Sequence, residues 1–290
     1  MKPLKNNDPL MKTTVKTPGR LQTAVVAMLM ICTGLMGCSK QSNVDELHEG
    51  ATKSNAKSST ANALLSGPVI AAHRANNLIK VDEIIAAGVK SLEVDIFVGT
   101  RNNKPTLLVG HEAATATGQT LEEYFANLNQ KMPNFEYLWL DCKDLNGAAN
   151  EQVFMTTLNK MDSLYSIKSR VLVESQYISY LVNFKQQNWN VSYYCNWSSL
   201  SGKTPAQQLT ILNGWHSSMT TYGIDGISYD ATVDTPMKNY FINKMVGSQN
   251  VRMYAWALAR YYGEANLATK LAVYNHLSVL LITFKSNNNT

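Results

Sequence analysis

The stretch SLEVDIF, Ser91 to Phe97, sets the reading of the whole chain. Side chains alternate across a strand, so Leu92, Val94 and Ile96 face one side while Glu93 and Asp95 share the other. An unbroken apolar face marks a core strand. Two carboxylates side by side on the opposite face repel each other unless a cation or hydrogen-bond donors compensate them. This short stretch therefore predicts both a buried sheet and a charged site built on it.

Outward from it, short apolar runs alternate with longer amphipathic or polar segments, the pattern of β/α units on a parallel sheet. Eight runs read as strands: PVIAAH, SLEVDIF, YLWLDCK, RVLVES, NVSYYCNW, GIDGISYD, VRMYAWAL and LSVLLITF. Between them NLIKVDEIIAAG reads as a helix ending at Gly88. TLEEYFANLNQKM opens with a Thr-x-x-Glu capping box at Thr120 and Glu123. Eight strands close a (β/α)8 TIM-type barrel, and no Gly-rich phosphate loop follows the first strand to argue for an open doubly wound sheet.

The chain has 290 residues, 45% of them hydrophobic and 16% charged, enough for one sizeable core. Residues 1–37 read as a signal peptide: a basic leader, then the apolar run TAVVAMLMICTGLMG, too short for a comfortable membrane span. Its end runs into LMGC, Leu35 to Cys38, which resembles the lipobox of bacterial lipoproteins and makes Cys38 the expected lipidated first residue of the mature chain. Residues 38–66 are polar and rich in Ser, Asn, Lys and Ala, a flexible tether. The barrel is expected over 67–285, with 286–290 as a tail. The leader carries four Lys, one Arg and one Asp, so without it the formal charge falls from +5 to +1. That removes the electrostatic case for nucleic acid. The expected partner of the N-terminal segment is the membrane, through the lipid anchor. The expected location is the cell envelope after export; Ser39 after the Cys favours the outer membrane where the envelope has one.

Polar residues gather where the strands end. His73 closes the first strand, Glu93 and Asp95 lie late in the second, Asp141 and Lys143 end the third, and Glu174 ends the fourth. LLVGHEAATATG, read as a loop, adds His111. In a β/α barrel these C-terminal ends converge on one open face, where active sites are built. The bland alternative for Glu93 and Asp95 is buried ion pairing with Lys143 or Arg74.

AAHRANN, LEVDIF, VGHE and LWLDCKD together resemble the motifs of the PLC-like phosphodiesterase superfamily, which includes glycerophosphodiester phosphodiesterases, sphingomyelinase D/phospholipase D toxins and menorin-like members. The resemblance covers Val69 to about Leu145. It implies a divalent cation, Mg2+ first and Ca2+ second, held by Glu93, Asp95 and Asp141, and catalytic histidines at His73 and His111. Arg74, Asn76, Lys143, Glu174 and Trp256 are then expected to meet the substrate. The chain departs from the glycerophosphodiesterase pattern at Ala75-Asn76, where His-Arg is usually followed by Gly, and at Asp141-x-Lys143, nearer the sphingomyelinase D form. AWALA and LLITF also differ from the usual closing motifs.

The chemistry agrees with that resemblance. Phosphodiester oxygens are already negative, so catalysis needs positive charge beside them and proton transfer at the attacking and leaving oxygens. A hard cation on the carboxylates, with Lys143 beside it, meets the first need, and two histidines meet the second. The expected activity is metal-dependent hydrolysis of a phosphodiester from a phospholipid or lipid-derived head group. Two rivals are a binding lipoprotein with a degenerate barrel and a glycoside hydrolase, whose acid pair leaves the two histidines without a role.

Overall fold

A computed structural model describes residues 67–116 and 118–284. The expected signal peptide, Cys38, the tether and the tail lie outside these residues. Eleven strands follow in chain order: β1 (Val69–His73), β2 (Ser91–Arg101), β3 (Lys104–Val109), β4 (Tyr137–Cys142), β5 (Val171–Ser175), β6 (Asn190–Tyr194), β7 (Gly226–Asp230), β8 (Met245–Val246), β9 (Gln249–Asn250), β10 (Arg252–Tyr261) and β11 (Val279–Thr283). Eight of them pair in parallel in the order β1-β11-β10-β7-β6-β5-β4-β2, and β1 pairs back onto β2 to close the barrel. The main helices on its outside are α1 (Leu78–Ala86), α2 (Leu121–Lys131), α3 (Ala148–Tyr165), α4 (Val182–Gln186), α5 (Pro205–Tyr222), α6 (Asp234–Phe241) and α7 (Leu267–Leu271). None of the helices among the described residues is long and apolar enough to cross a membrane.

Alternation along each strand sorts the core into two layers. Leu92, Val94, Ile96, Leu138, Leu140, Val171 and Val173 pack outward against the helices. Ala71, Trp139, Leu172, Tyr254, Val279 and Leu281 form a separate cluster that fills the barrel. Trp139 and Tyr254 meet edge to face there, with ring centroids 5.7 Å apart. This plug is the floor beneath His73, Asp141 and Glu174, each one level up its strand from a plug residue, while Glu93 on β2 stands level with Trp139.

Helix ends follow the local chemistry. Asn77 caps α1 by accepting from the Lys80 N–H, and Thr120 and Glu123 form the expected capping box on α2. Gly88 stands at φ +76° just past α1, a conformation that favours glycine. Gly226 answers a different need. A Cβ there would lie 2.1 Å from the Val191 carbonyl oxygen, so β6 passes β7 only because the side chain is missing.

One expectation fails. LLVGHEAATATG is not wholly a loop: Leu107, Leu108 and Val109 belong to β3, which pairs antiparallel with β2 from Arg101↔Lys104 to Ile96↔Val109. The turn is Asn102-Asn103, both at positive φ (52° and 58°), a two-residue connection matching the right-handed twist of the strands. β2 consequently runs four residues beyond SLEVDIF.

Candidate active site

Strand register determines which side chains meet. Asp95, Asp141 and Glu174 are lateral partners on β2, β4 and β5, so three acids stand in one row at the barrel mouth. Glu93 stands one level down, beside Trp139 on β4. The β1–β2 closure at Ala72↔Leu92 brings His73 to the other side of Glu93, with Nε2 3.9 Å from Oε2. His111 follows β3 directly, and the preceding Gly110 N–H donates to the Asp95 carbonyl at 2.9 Å. His73, Arg74, Glu93, His111, Asp141, Lys143, Glu174 and Trp256 all line one cleft of about 240 Å³.

Glu93 and Asp95 are buried, Asp141 is half-buried, and the three are not alike. Glu93 is 2% exposed and Asp95 1%. Asp95 is surrounded by donors: Lys143 Nζ lies 3.0 Å from Oδ1, Asn76 Nδ2 donates to Oδ2 at 2.8 Å, and Arg74 Nε lies 3.6 Å from Oδ2. Burial raises its pKa, but Lys143 and Asn76 outweigh that and hold it below the usual range. Glu93 accepts the Arg74 N–H at 2.6 Å. Burial, followed by the charges of Asp95 and Asp141, pushes it well above the ordinary carboxylate range. Asp141 is raised by burial against the pull of Lys143, whose ammonium it accepts at Oδ2. Lys143 is itself raised, since Asp141 and Asp95 more than offset its burial.

His73 is brought down to about 4 by burial and then by the Arg74 guanidinium, so it is neutral at ordinary pH. Its own carbonyl accepts from Lys80 Nζ at 2.8 Å. The bend after it is tied down residue by residue. Arg74 sits at φ 55°, Ala75 N–H donates to the Glu93 carbonyl at 2.8 Å, and the Ala75 carbonyl accepts the Tyr124 hydroxyl from α2 at 2.8 Å. Asn76 bonds Asp95 twice, donating to Oδ2 and accepting the Asp95 N–H at 2.9 Å. Its amide is thus committed to Asp95, and Asn76 does not line the cleft.

Glu174, 2% exposed, accepts from Ser228 Oγ at 2.6 Å on Oε1 and from the Trp139 indole on Oε2. Burial, then the nearby Asp141 charge, pushes it up to about 8. Around it stands an aromatic wall that the sequence reading reached only at Trp256. Tyr194 stacks on Trp256 with centroids 5.1 Å apart at 12°, and Trp197 closes the same side. Trp139 was legible, since it shares a face with Asp141 two positions on. Trp197 was not, because the chain leaves β6 at Tyr194 and enters a short 3-10 turn. His216 and His276 line no part of the cleft; His276 Nε2 pairs with Asp234 at 2.9 Å.

One oxygen from each of Glu93, Asp95 and Asp141 lies within 4.8 Å of the others. These residues fit a hard divalent cation: the donors are all carboxylate oxygens, and the Lys143 ammonium already bridges two of them as a stand-in positive charge.

No protein-family model matches the sequence. No curated protein matches it at sequence level either. Solved structures do match in shape. A glycerophosphodiester phosphodiesterase from Parabacteroides distasonis superposes with a TM-score of 0.52 at 12% identity, covering 74% of this chain and 92% of that one. Another, from Thermotoga maritima, gives 0.50 at 10% identity over 75% and 95%. The chain therefore has the β/α-barrel fold of the glycerophosphodiester phosphodiesterases.

Proposed function

We propose that the cleft hydrolyses a phosphodiester from a phospholipid or a lipid-derived head group in a metal-dependent reaction. The observation that carries this reading is the meeting of His73, His111, the three carboxylates and Lys143 at one barrel mouth. A divalent cation on Glu93, Asp95 and Asp141 would supply positive charge at the nonbridging phosphate oxygens. Lys143 and Arg74, both lining the cleft, add to that charge. His73, held neutral, takes the proton from the attacking hydroxyl or water. His111, just past the end of β3, gives a proton to the leaving alkoxide as the phosphorus–oxygen bond breaks. The wall of Tyr194, Trp197 and Trp256 receives the organic substituent. Export and lipid attachment at Cys38 would bring the cleft to a membrane surface.

The test is a panel of glycerophosphodiesters, phospholipid vesicles and aryl phosphodiesters, each with and without a chelator. Chelator-sensitive release of a phosphomonoester or cyclic phosphate from any member supports the reading. Silence across the panel removes it.

A further inference from the structure

Lys143 occupies a position that a divalent cation on the triad would contest. Its ammonium lies 3.0 Å from Asp95 Oδ1 and also donates to Asp141 Oδ2, so it bridges two of the three carboxylates. Asp95 is already well supplied, since its other oxygen takes the Asn76 amide and faces Arg74. A second cation held by the same oxygens would stand within a few ångströms of the ammonium, and like charges at that separation in a partly dry site repel strongly. Asn76 bonds Asp95 twice and is held in place, while the Arg74 guanidinium stands farther back, 3.6 Å from the other Asp95 oxygen with its side chain 51% exposed, so Lys143 is the cation that sits among the triad's oxygens. Lys143 can move: its side chain is 27% exposed, ends a flexible four-carbon stem and borders the open cleft.

We infer that Lys143 is a resident counter-ion of the carboxylate triad, which a divalent cation displaces from Asp95 and Asp141 into the cleft. In the unloaded protein it limits the repulsion among the buried acids. After displacement its ammonium is released to the side of the cleft that meets an anionic substrate group. The displacement itself is independent of the proposed phosphodiesterase activity; only the use made of the released ammonium rests on that reading.

Two measurements without substrate test this. The first is calorimetric titration of Mg2+ and Ca2+ into the full protein and into its Lys143→Met and Lys143→Gln variants. Removing the competitor should tighten ion binding by roughly ten- to a hundredfold. Unchanged or weaker binding in a folded variant overturns the inference, because a lysine that merely organises the site would leave it looser when lost. The second uses the unmodified protein and so survives misfolding of the variants. Acylation of Lys143 by an amine-reactive ester is followed by mass spectrometry against exposed Lys203 as reference. Added divalent ion should accelerate labelling of Lys143 severalfold and leave Lys203 unchanged. Labelling that stays constant or slows shows that Lys143 does not leave its carboxylates and overturns the displacement. A protein that hydrolyses no phosphodiester yet shows both changes loses the proposed function and keeps the counter-ion.

Discussion

Glu93 and Asp95 face the same way two residues apart, yet burial drives one up while donors hold the other down. The sequence supplied the shared face, because a period of two needs no structure. It did not supply the asymmetry, which depends on Lys143 reaching Asp95 from the end of β4 and on Asn76 and Arg74 arriving from the β1 bend. The ion pairing between Asp95 and Lys143, raised as the bland alternative, is present and coexists with a metal-competent geometry. Changing Asp95 to Ala should weaken divalent-ion binding at least about tenfold, since a hard cation loses one of its anionic ligands, while far-ultraviolet circular dichroism stays native. His73→Asn should cost about 10²- to 10⁴-fold in turnover with calorimetric ion affinity retained. Two further groups make the unloaded protein's stability depend on pH with opposite signs. His73 is depressed to about 4, so its contribution is complete above its unfolded value of 6.5 and is lost as pH falls from there towards 4. Glu174 is raised to about 8, so its contribution is complete below 4.5 and is lost as pH rises from there to 8. Glu174→Gln copies the neutral acid: its amide oxygen can take the Trp139 indole and its NH2 can donate to Ser228. The variant's stability relative to the parent should therefore grow by on the order of a few kcal/mol between pH 5 and pH 8. A difference that is flat in denaturant titrations at the two pH values would show that Glu174 is ionised throughout.

At the scale of elements, all eight barrel strands and the α2 capping box were legible because each rests on local signals: alternation, strand length, and a Thr-x-x-Glu spacing. The β2–β3 hairpin was missed although its signal was present. Asn102-Asn103 is a turn dipeptide, but the expectation of a βα loop at that point in the alternation masked it. The consequence reaches the site, since His111 is carried by an antiparallel strand pinned at Gly110 and not by a free loop. β6 shows the reverse limit. NVSYYCNW reads as one strand, but only Asn190–Tyr194 stays in the sheet, which is why Trp197 could not be placed beforehand. Gly226 offers a test of strand packing. Gly226→Ala should destabilise the barrel by about 1–3 kcal/mol, because the added methyl overpacks against the Val191 carbonyl. A denaturation midpoint equal to the parent's would mean β6 and β7 can separate without cost.

For the whole molecule, topology does what no single motif could. β1 and β2 pair directly at one register position, Ala72↔Leu92, and the seam is extended by the Ala75 N–H donating to the Glu93 carbonyl and the Arg74 N–H donating to the Glu93 carboxylate. The joint that closes the barrel is therefore also the joint that sets His73 beside the carboxylates. Barrel closure and the placement of His73 thus rest on the same contacts, which is why the ordered histidines and acids, far apart in sequence, were informative together and weak alone. The expected envelope anchor makes its own prediction: Cys38→Ser should move the protein from the membrane fraction to the soluble fraction, and retention on the membrane would remove the lipidation proposal. The central claim is that the paired acids of SLEVDIF serve a cation needed for phosphodiester cleavage. Its most direct test is the initial rate of hydrolysis of the best panel substrate by metal-stripped protein as Mg2+ or Ca2+ is restored, for the parent and for Glu93→Gln. Saturable restoration in the parent and none in the variant is the predicted result; full turnover in the stripped parent, or equal restoration in Glu93→Gln, would contradict it.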